Sequence, residues 1–239
     1  MVKRERLVQP RLGCRKLRVL LGTDLEEMGI RLGRDRFFKV LKQEGLLIKR
    51  RRRGAPRTTE AVHRFRTYPN LLKGSVFRKA HEGWVSDITY VRTEEGWLYV
   101  FLISDVFSRK IVGVAVGTTL EAKWNVRALQ RAIKQLPGVA RPIHHSDRGI
   151  QYCCEDYVEI LKARRLPISM TEENHCGENA QAERLNGILK EEYGLGETFQ
   201  TKEQARSAIW EAVRLFNERR PHTSLGYRIP ALVHMEAVS

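Results

Sequence analysis

Three acids stand where packing alone gives no reason for them. Asp87 lies inside an apolar run, WVSDITYV, and Asp147 follows a short apolar entry, Val139 to Ile143, in HHSDRGIQY. Glu183 lies in NAQAERLNGILKEEY, where Ala182, Leu185, Ile188 and Leu189 share one side of a 3.6-residue period and Glu183, Asn186, Gly187 and Lys190 share the other. A charge inside a strand is costly unless something compensates it. Hard divalent cations such as Mg²⁺ take oxygen ligands and keep open positions for substrate phosphates. Two such ions, about 3.5–4 Å apart, activate an attacking oxygen and stabilise the leaving one in an in-line displacement. Carboxylates on two strands and one helix can build that site, with Asp147 holding metal and Gly149 letting the backbone turn away from it. Taken singly, each acid also suits a surface or capping role. With 28 acids in 239 residues, a spacing alone decides little.

Asp105, in ISDVFSRK, is a competitor for the first position. It is followed by Val106-Phe107-Ser108-Arg109, a connection of the kind that uses an aspartate to bond nearby backbone N–H groups or the arginine. Asp87 has no turn residues beside it, so its charge lacks a local partner and needs a metal. A zinc site on His144, His145, Cys153 and Cys154 is disfavoured, because adjacent ligands lack the usual spacing. The four cysteines show no disulfide framework, which suits a reducing compartment.

The elements that must position these acids follow from hydrophobic period. Trp84 to Thr93 and Trp97 to Ile103 predict a hairpin across Glu94-Glu95-Gly96, and Lys110 to Gly117 a third strand. A helix over about Leu120 to Leu136, a strand ending at Asp147, a helix near Asp156 to Ala163 and a strand at Leu166–Ser169 come next. Two long helices, about Asn179–Tyr193 and Thr201–Arg219, complete the order, and residues 220–239 read as an irregular tail. This is an α/β pattern: a mixed sheet of three antiparallel strands plus parallel ones, with helices on both faces.

Upstream, Arg11 to Leu21 reads as a helix ending at Gly22. A second, Arg34 to Glu44, puts Phe37, Val40 and Leu41 on one face and stops at Gly45. Its other side offers Arg34, Arg36, Lys39 and Lys42, as in a helix-turn-helix. Arg50, Arg51, Arg52 and Arg53 then read as a basic arm or a solvated linker. The division expected is 1–53 helix-turn-helix-like DNA-binding region, 54–80 basic linker, 81–195 catalytic core, and 196–239 C-terminal helix and tail.

Charge divides the same way. Residues 1–80 hold 23 Lys+Arg and 7 Asp+Glu, a net of +16; residues 81–239 hold 20 and 21, a net of −1. A block of that size points to a polyanion, because each cation laid on a phosphate releases counterions. No apolar run reaches the ~18–20 residues of a membrane span, and no secretory signal is visible. A soluble, intracellular protein is expected.

The segments WVSDITYV, DVFSRKIVG, HSDRGIQY, NAQAERLNGILKEE and FNERRPHTSLGYRIP together resemble a known family. It is the bacterial insertion-sequence transposases made from two overlapping reading frames, and the likeness is to the catalytic product of the second frame. The wider group is the DDE transposase and retroviral integrase superfamily. The resemblance runs from about Arg11 to Leu232. It implies a ribonuclease H-like core in which Asp87, Asp147 and Glu183 are the catalytic and metal-holding acids, the last two separated by 35 residues as the group favours. It further implies two Mg²⁺ ions, with Mn²⁺ able to substitute, and Lys190 near DNA. Where relatives often carry Asp-Asn-Ala, this chain has Glu178-Asn179-Ala180.

The expected activity is DNA strand cleavage and transfer on element ends and target, in the bacterial cytoplasm at the nucleoid. A homo-oligomer on DNA and a partner from the upstream frame are expected with it. Two rivals stand beside this reading: a ribonuclease H-like nuclease that only hydrolyses, and a non-catalytic DNA-binding regulator of transposition.

Overall fold

The computed structural model describes residues 1–48, 65–172 and 179–237. Arg50 to Arg53, Cys176 and Glu178 lie outside the described residues.

β1 (Gly83–Thr93) and β2 (Gly96–Asp105) form the expected hairpin, in register from Trp84 opposite Asp105 to Thr93 opposite Gly96. β3 (Ile111–Gly117) adds antiparallel to β2. β4 (Ile143–Ser146) runs parallel to β1 on its other side, and β5 (Ile168–Met170) runs parallel to β4. The order is β3-β2-β1-β4-β5, and a short sixth strand, β6 (Thr198–Phe199), pairs parallel to the far end of β1. β6 escapes sequence reading because two residues carry no period. The approach to β4 is shorter than expected: Val139 is 91% exposed and belongs to a loop.

Strand alternation sends successive side chains to opposite faces. On one face Trp84, Phe101, Ile103, Val112 and Ala115 pack against α5 (Ala122–Ile133), α6 (Ile150–Cys153) and α7 (Glu155–Ala163). On the other, Val91, Val100, Leu102 and Val114 meet α8 (Ala180–Glu192) and α9 (Lys202–Glu218). α9 starts at Thr201, whose hydroxyl accepts from the Gln204 N–H at 3.2 Å. It buries Ile209, Val213 and Phe216, each worth about 1.5–3 kcal/mol once removed from water.

Among the described residues four helices precede the sheet: α1 (Val2–Val8), α2 (Cys14–Leu20), α3 (Gly22–Glu27) and α4 (Arg34–Gln43). Leu12, Leu17, Leu21, Phe37 and Leu41 close a small core of their own. Two expectations are corrected here. Gly22 opens α3 instead of ending the run, and Val40 is 39% exposed, so the buried face of α4 is Phe37 and Leu41. Gly45, at φ +67°, ends α4 as expected.

The helical region is tied to the rest by ion pairs. Arg219 at the end of α9 meets Glu5 at 2.6 Å, and Lys16 meets Glu192 of α8 at 2.6 Å. The C-terminal residues are also ordered, contrary to the irregular tail expected: a 3₁₀ turn at Thr223–Leu225 leads to α10 (Pro230–Glu236). Pro230 at its first turn suits a helix start, since the missing N–H would have had no partner there. Among the described residues no helix is long and apolar enough to cross a membrane.

Candidate active site

Asp87 points from β1 toward α8, because it shares the parity of Val91, which packs on that face. The register of β4 brings Trp84 beside His144 and Val85 beside His145. Two residues further along, the same register sets Asp147 alongside Asp87, on strands about 4.8 Å apart. Asp147 therefore stands where β4 ends, with its Oδ1 accepting the Gly149 N–H at 2.9 Å. Gly149 is not in a left-handed conformation (φ −61°), so its role differs from the turn expected of it. A Cβ there would meet the Asp147 carboxylate oxygen at 3.0 Å. Glycine permits close approach of backbone to acid.

α8 supplies the third acid and is fastened to the sheet at three points. The Asn179 side-chain amide donates to the Ser86 carbonyl at 3.1 Å, and Gln181 Nε2 donates to the Asp105 carbonyl at 3.1 Å. Asn186, one turn beyond Glu183, donates to Asp87 Oδ2 at 2.7 Å. The remaining Asp87 oxygen accepts the Ile88 N–H at 2.9 Å. Locally Asp87 meets only the Ile88 N–H, and its side-chain partner comes from a helix 99 residues away in sequence.

These contacts do not neutralise the acid. Burial, then the charge of Asp147, then that of Glu183 raise the Asp87 carboxyl to about 7, against the opposing pull of its two hydrogen bonds. Asp147 is raised as well, chiefly by burial. Among the described residues no lysine or arginine forms an ion pair with any of the three acids. A cluster of carboxylates without a cation suits hard metal ions in donor type and charge. The ring is open, however: Glu183 is exposed, and no three His, Cys, Asp or Glu among the described residues are gathered closely enough to enclose an ion.

Asp105 is wholly buried and fully used. Its Oδ1 accepts from the Ser108 N–H (2.7 Å) and hydroxyl (2.8 Å), and its Oδ2 from the His81 N–H (2.8 Å). The expected turn role holds. The histidines and cysteines set aside as zinc ligands are engaged separately: His144 with the Tyr157 hydroxyl at 2.8 Å, His145 with Ser169 at 2.8 Å, Cys153 with Met170. Lys190 lies over the Tyr90 ring, 4.5 Å from its centre. Arg34, Arg36, Lys39 and Lys42 are all exposed on α4, with Arg34 paired to its neighbour Asp35.

The integrase core domain family matches residues 78–176, and a second integrase core domain family matches residues 164–230. The Insertion element IS600 31 kDa protein of Shigella sonnei is 38% identical over 213 residues, covering 88% of this chain and 78% of that protein. The chain belongs to the integrase-core transposases of bacterial insertion elements. The transposase InsF for insertion sequence IS3A of Escherichia coli K12 is 34% identical over 188 residues, 78% of this chain. This transposase-family chain spans 65% of that relative's length.

Among solved structures, the HTLV-2 integrase catalytic core domain in complex with magnesium matches with a TM-score of 0.51 at 18% identity. It covers 64% of this chain and 96% of that one. A simian T-cell lymphotropic virus intasome in complex with a PP2A regulatory subunit matches at TM-score 0.54 and 16% identity, covering 92% of this chain and 73% of that one. At such identities these show the fold: a ribonuclease H-like mixed sheet with helices on both faces.

Sequence reading placed Asn186 on the right face but gave it no task, and it passed over Asn179 as a helix-start residue. The signals for Asn179 were its place at the head of the helix and its match to the Asp-Asn-Ala segment of the family. It is a positioning residue, and Asn179→Ala should show this. Strand joining should fall about ten- to a hundredfold through a misplaced α8, while lost stability stays near 1 kcal/mol. Turnover at saturating DNA, measured beside a thermal melt, checks the split; a joining rate within twofold of wild type would remove the role.

Proposed function

We propose that this chain cuts and joins DNA strands during transposition of an insertion element, using Asp87, Asp147 and Glu183. The observation that carries the reading is Asp87 standing beside Asp147 and bonded to Asn186 of the helix that bears Glu183, with its carboxyl raised and, among the described residues, no lysine or arginine ion-paired to these acids. The ions these acids would hold are Mg²⁺, two in number, with Mn²⁺ able to substitute; when bound they supply charge that stabilises the attacking and leaving oxygens.

The protein's own share is placement. Asn186 fixes the Asp87 carboxylate, the Gly149 N–H fixes that of Asp147, and Asn179 and Gln181 hold the helix that carries Glu183. Glu183, exposed on α8, would be the third acid to hold the ions. In cleavage, water attacks a phosphodiester at the element end and the leaving strand departs with a free 3′-hydroxyl. In joining, that hydroxyl attacks a target phosphodiester and releases a new 3′-hydroxyl, so bonds made equal bonds broken. Little proton chemistry is asked of the chain; positioning and charge stabilisation do the work.

DNA is the partner, held as a homo-oligomer on element ends and target, with an upstream-frame protein contributing end recognition. The place of action is the bacterial cytoplasm, at the nucleoid. Contacts come from Lys190 on the helix that carries Glu183, from Arg34, Arg36, Lys39 and Lys42 on α4, and from the arm Arg50, Arg51, Arg52 and Arg53. The basic helical region 1–53, the linker 54–80 and the core 81–195 with its C-terminal helix divide binding from chemistry.

With six or more phosphate contacts, affinity should fall on the order of a thousandfold between 50 and 200 mM salt. Changing Arg34, Arg36, Lys39 and Lys42 to Gln should flatten that salt slope by about 0.9 per lost contact. Fluorescence anisotropy on a labelled duplex reads both, and a slope unchanged in the variant would take α4 out of the interface. Joined products in a strand-transfer assay separate a transposase from a nuclease that only hydrolyses.

A further inference from the structure

A cavity of about 490 Å³ lies behind α8, on the helix face opposite the Asn186 that bonds Asp87. Lys16 of α2, Arg184 of α8, Arg109 after β2 and Arg220 after α9 all line it, with Ser104 at its wall. Arg220 is only 1% exposed. Its Nε and Nη2 grip the Glu192 carboxylate at 2.8 and 3.0 Å, but its buried Nη1 has no hydrogen-bond partner among the described residues. Arg109 Nε and the Ser104 hydroxyl, in the same lining, are likewise buried and unpartnered. An unmade hydrogen bond at a buried donor costs about 1–3 kcal/mol, more when the group is charged.

The charge balance is equally one-sided. Four cations face two carboxylates: that of Glu192, which already holds both Lys16 and Arg220, and that of Asp105, whose charge Arg109 feels. The positive field is felt by His222, in the same lining, which burial and then Arg220, Arg109 and Lys16 lower to about 4. Three unsatisfied donors and surplus positive charge around one cavity call for a compact anion with several acceptor oxygens. Phosphate meets that need better than a carboxylate, since guanidinium donors approaching from different walls can each reach a separate oxygen.

We propose that this cavity is a phosphate-binding site, in which Arg109 and Arg220 donate from opposite sides of the sequence to one phosphate group behind the helix that carries Glu183. The phosphate comes either from a DNA backbone or from a free phosphate ester. Only the first source rests on the function proposed above. Because Lys16 and Arg184 belong to α2 and α8, an occupied site clamps the N-terminal helices against the helix bearing the third acid.

The test uses the full chain with inorganic phosphate and pyrophosphate as probes, followed by isothermal titration, and a labelled DNA duplex in parallel. Arg220→Gln strands Glu192 and is unsuitable. Arg109→Gln and Arg184→Gln are the informative variants, with Lys134→Gln, an exposed lysine far from the cavity in sequence, as a control of equal charge. Phosphate affinity should fall at least tenfold in the two arginine variants and stay within twofold in the control. Asp87→Asn should bind phosphate like wild type, which keeps this site separable from the catalytic one. A matching loss of duplex affinity in the arginine variants assigns the phosphate to DNA, and an unchanged duplex affinity assigns it to a free ester. If neither phosphate nor DNA binding separates Arg109→Gln from Lys134→Gln, the proposal is overturned.

Discussion

Glu183→Gln should join no DNA strands while binding DNA as well as the wild type. The change keeps the shape of a side chain that is exposed on α8 and removes only its charge. The anchors of that helix, through Asn179, Gln181 and Asn186, do not involve Glu183 and remain. If Glu183 supplies one of three ligands, its loss should lower the joining rate at least roughly a thousandfold, about 4 kcal/mol of barrier. Gel shift and strand-transfer assays on one preparation decide it. Joining within tenfold of wild type would remove Glu183 from the chemistry, and lost DNA binding would show that it serves the interface instead.

Two aspartates on neighbouring strands should respond oppositely to the same change. The Asp87 carboxyl sits near 7 in the fold, against an ordinary 3.8. A folded value above the unfolded one means that its contribution is fully present below about pH 4 and is lost as pH rises through 7. The metal-free protein should therefore melt at lower temperature at pH 8 than at pH 5, by at most about 3 kcal/mol in stability. Asp87→Asn should flatten that dependence and raise the melting temperature at pH 8. Added Mg²⁺ should stabilise the wild type and not this variant, since a cation stabilises the state that binds it. Asp105→Asn turns an acceptor of three buried hydrogen bonds into a mismatched amide and should cost roughly 1–3 kcal/mol with Mg²⁺ stabilisation retained. Melts of both variants across pH, with and without Mg²⁺, test the pair; Asp105→Asn losing the Mg²⁺ response at a wild-type melt would reverse the assignment.

The sheet was readable because its signals are local. Alternation from Trp84 to Thr93, the hairpin at Glu94-Glu95-Gly96 and the helical face Ala182, Leu185, Ile188 and Leu189 each lie within a few residues, and the structure repeats them. The turn role of Asp105 was readable for the same reason, as Ser108 is three residues away. Contacts between distant segments left no such trace. Glu5 with Arg219, and Lys16 with Glu192, span 214 and 176 residues, and no period announces them. The Asn186 bond to Asp87 and the cavity behind α8 belong to this class. α10 was missed because seven residues beginning with a proline are too few to show amphipathic repeat. Gly149 was noticed correctly, but for a turn, where the fold uses it for closeness to Asp147.

The central claim is that Asp87, Asp147 and Glu183 hold divalent metal together, and anomalous scattering from a crystal soaked in Mn²⁺ tests it most directly. The account predicts manganese peaks between the Asp87 and Asp147 carboxylates, with Glu183 turned inward to join them. Manganese bound elsewhere, with these three acids left without an ion at saturating Mn²⁺, would contradict it.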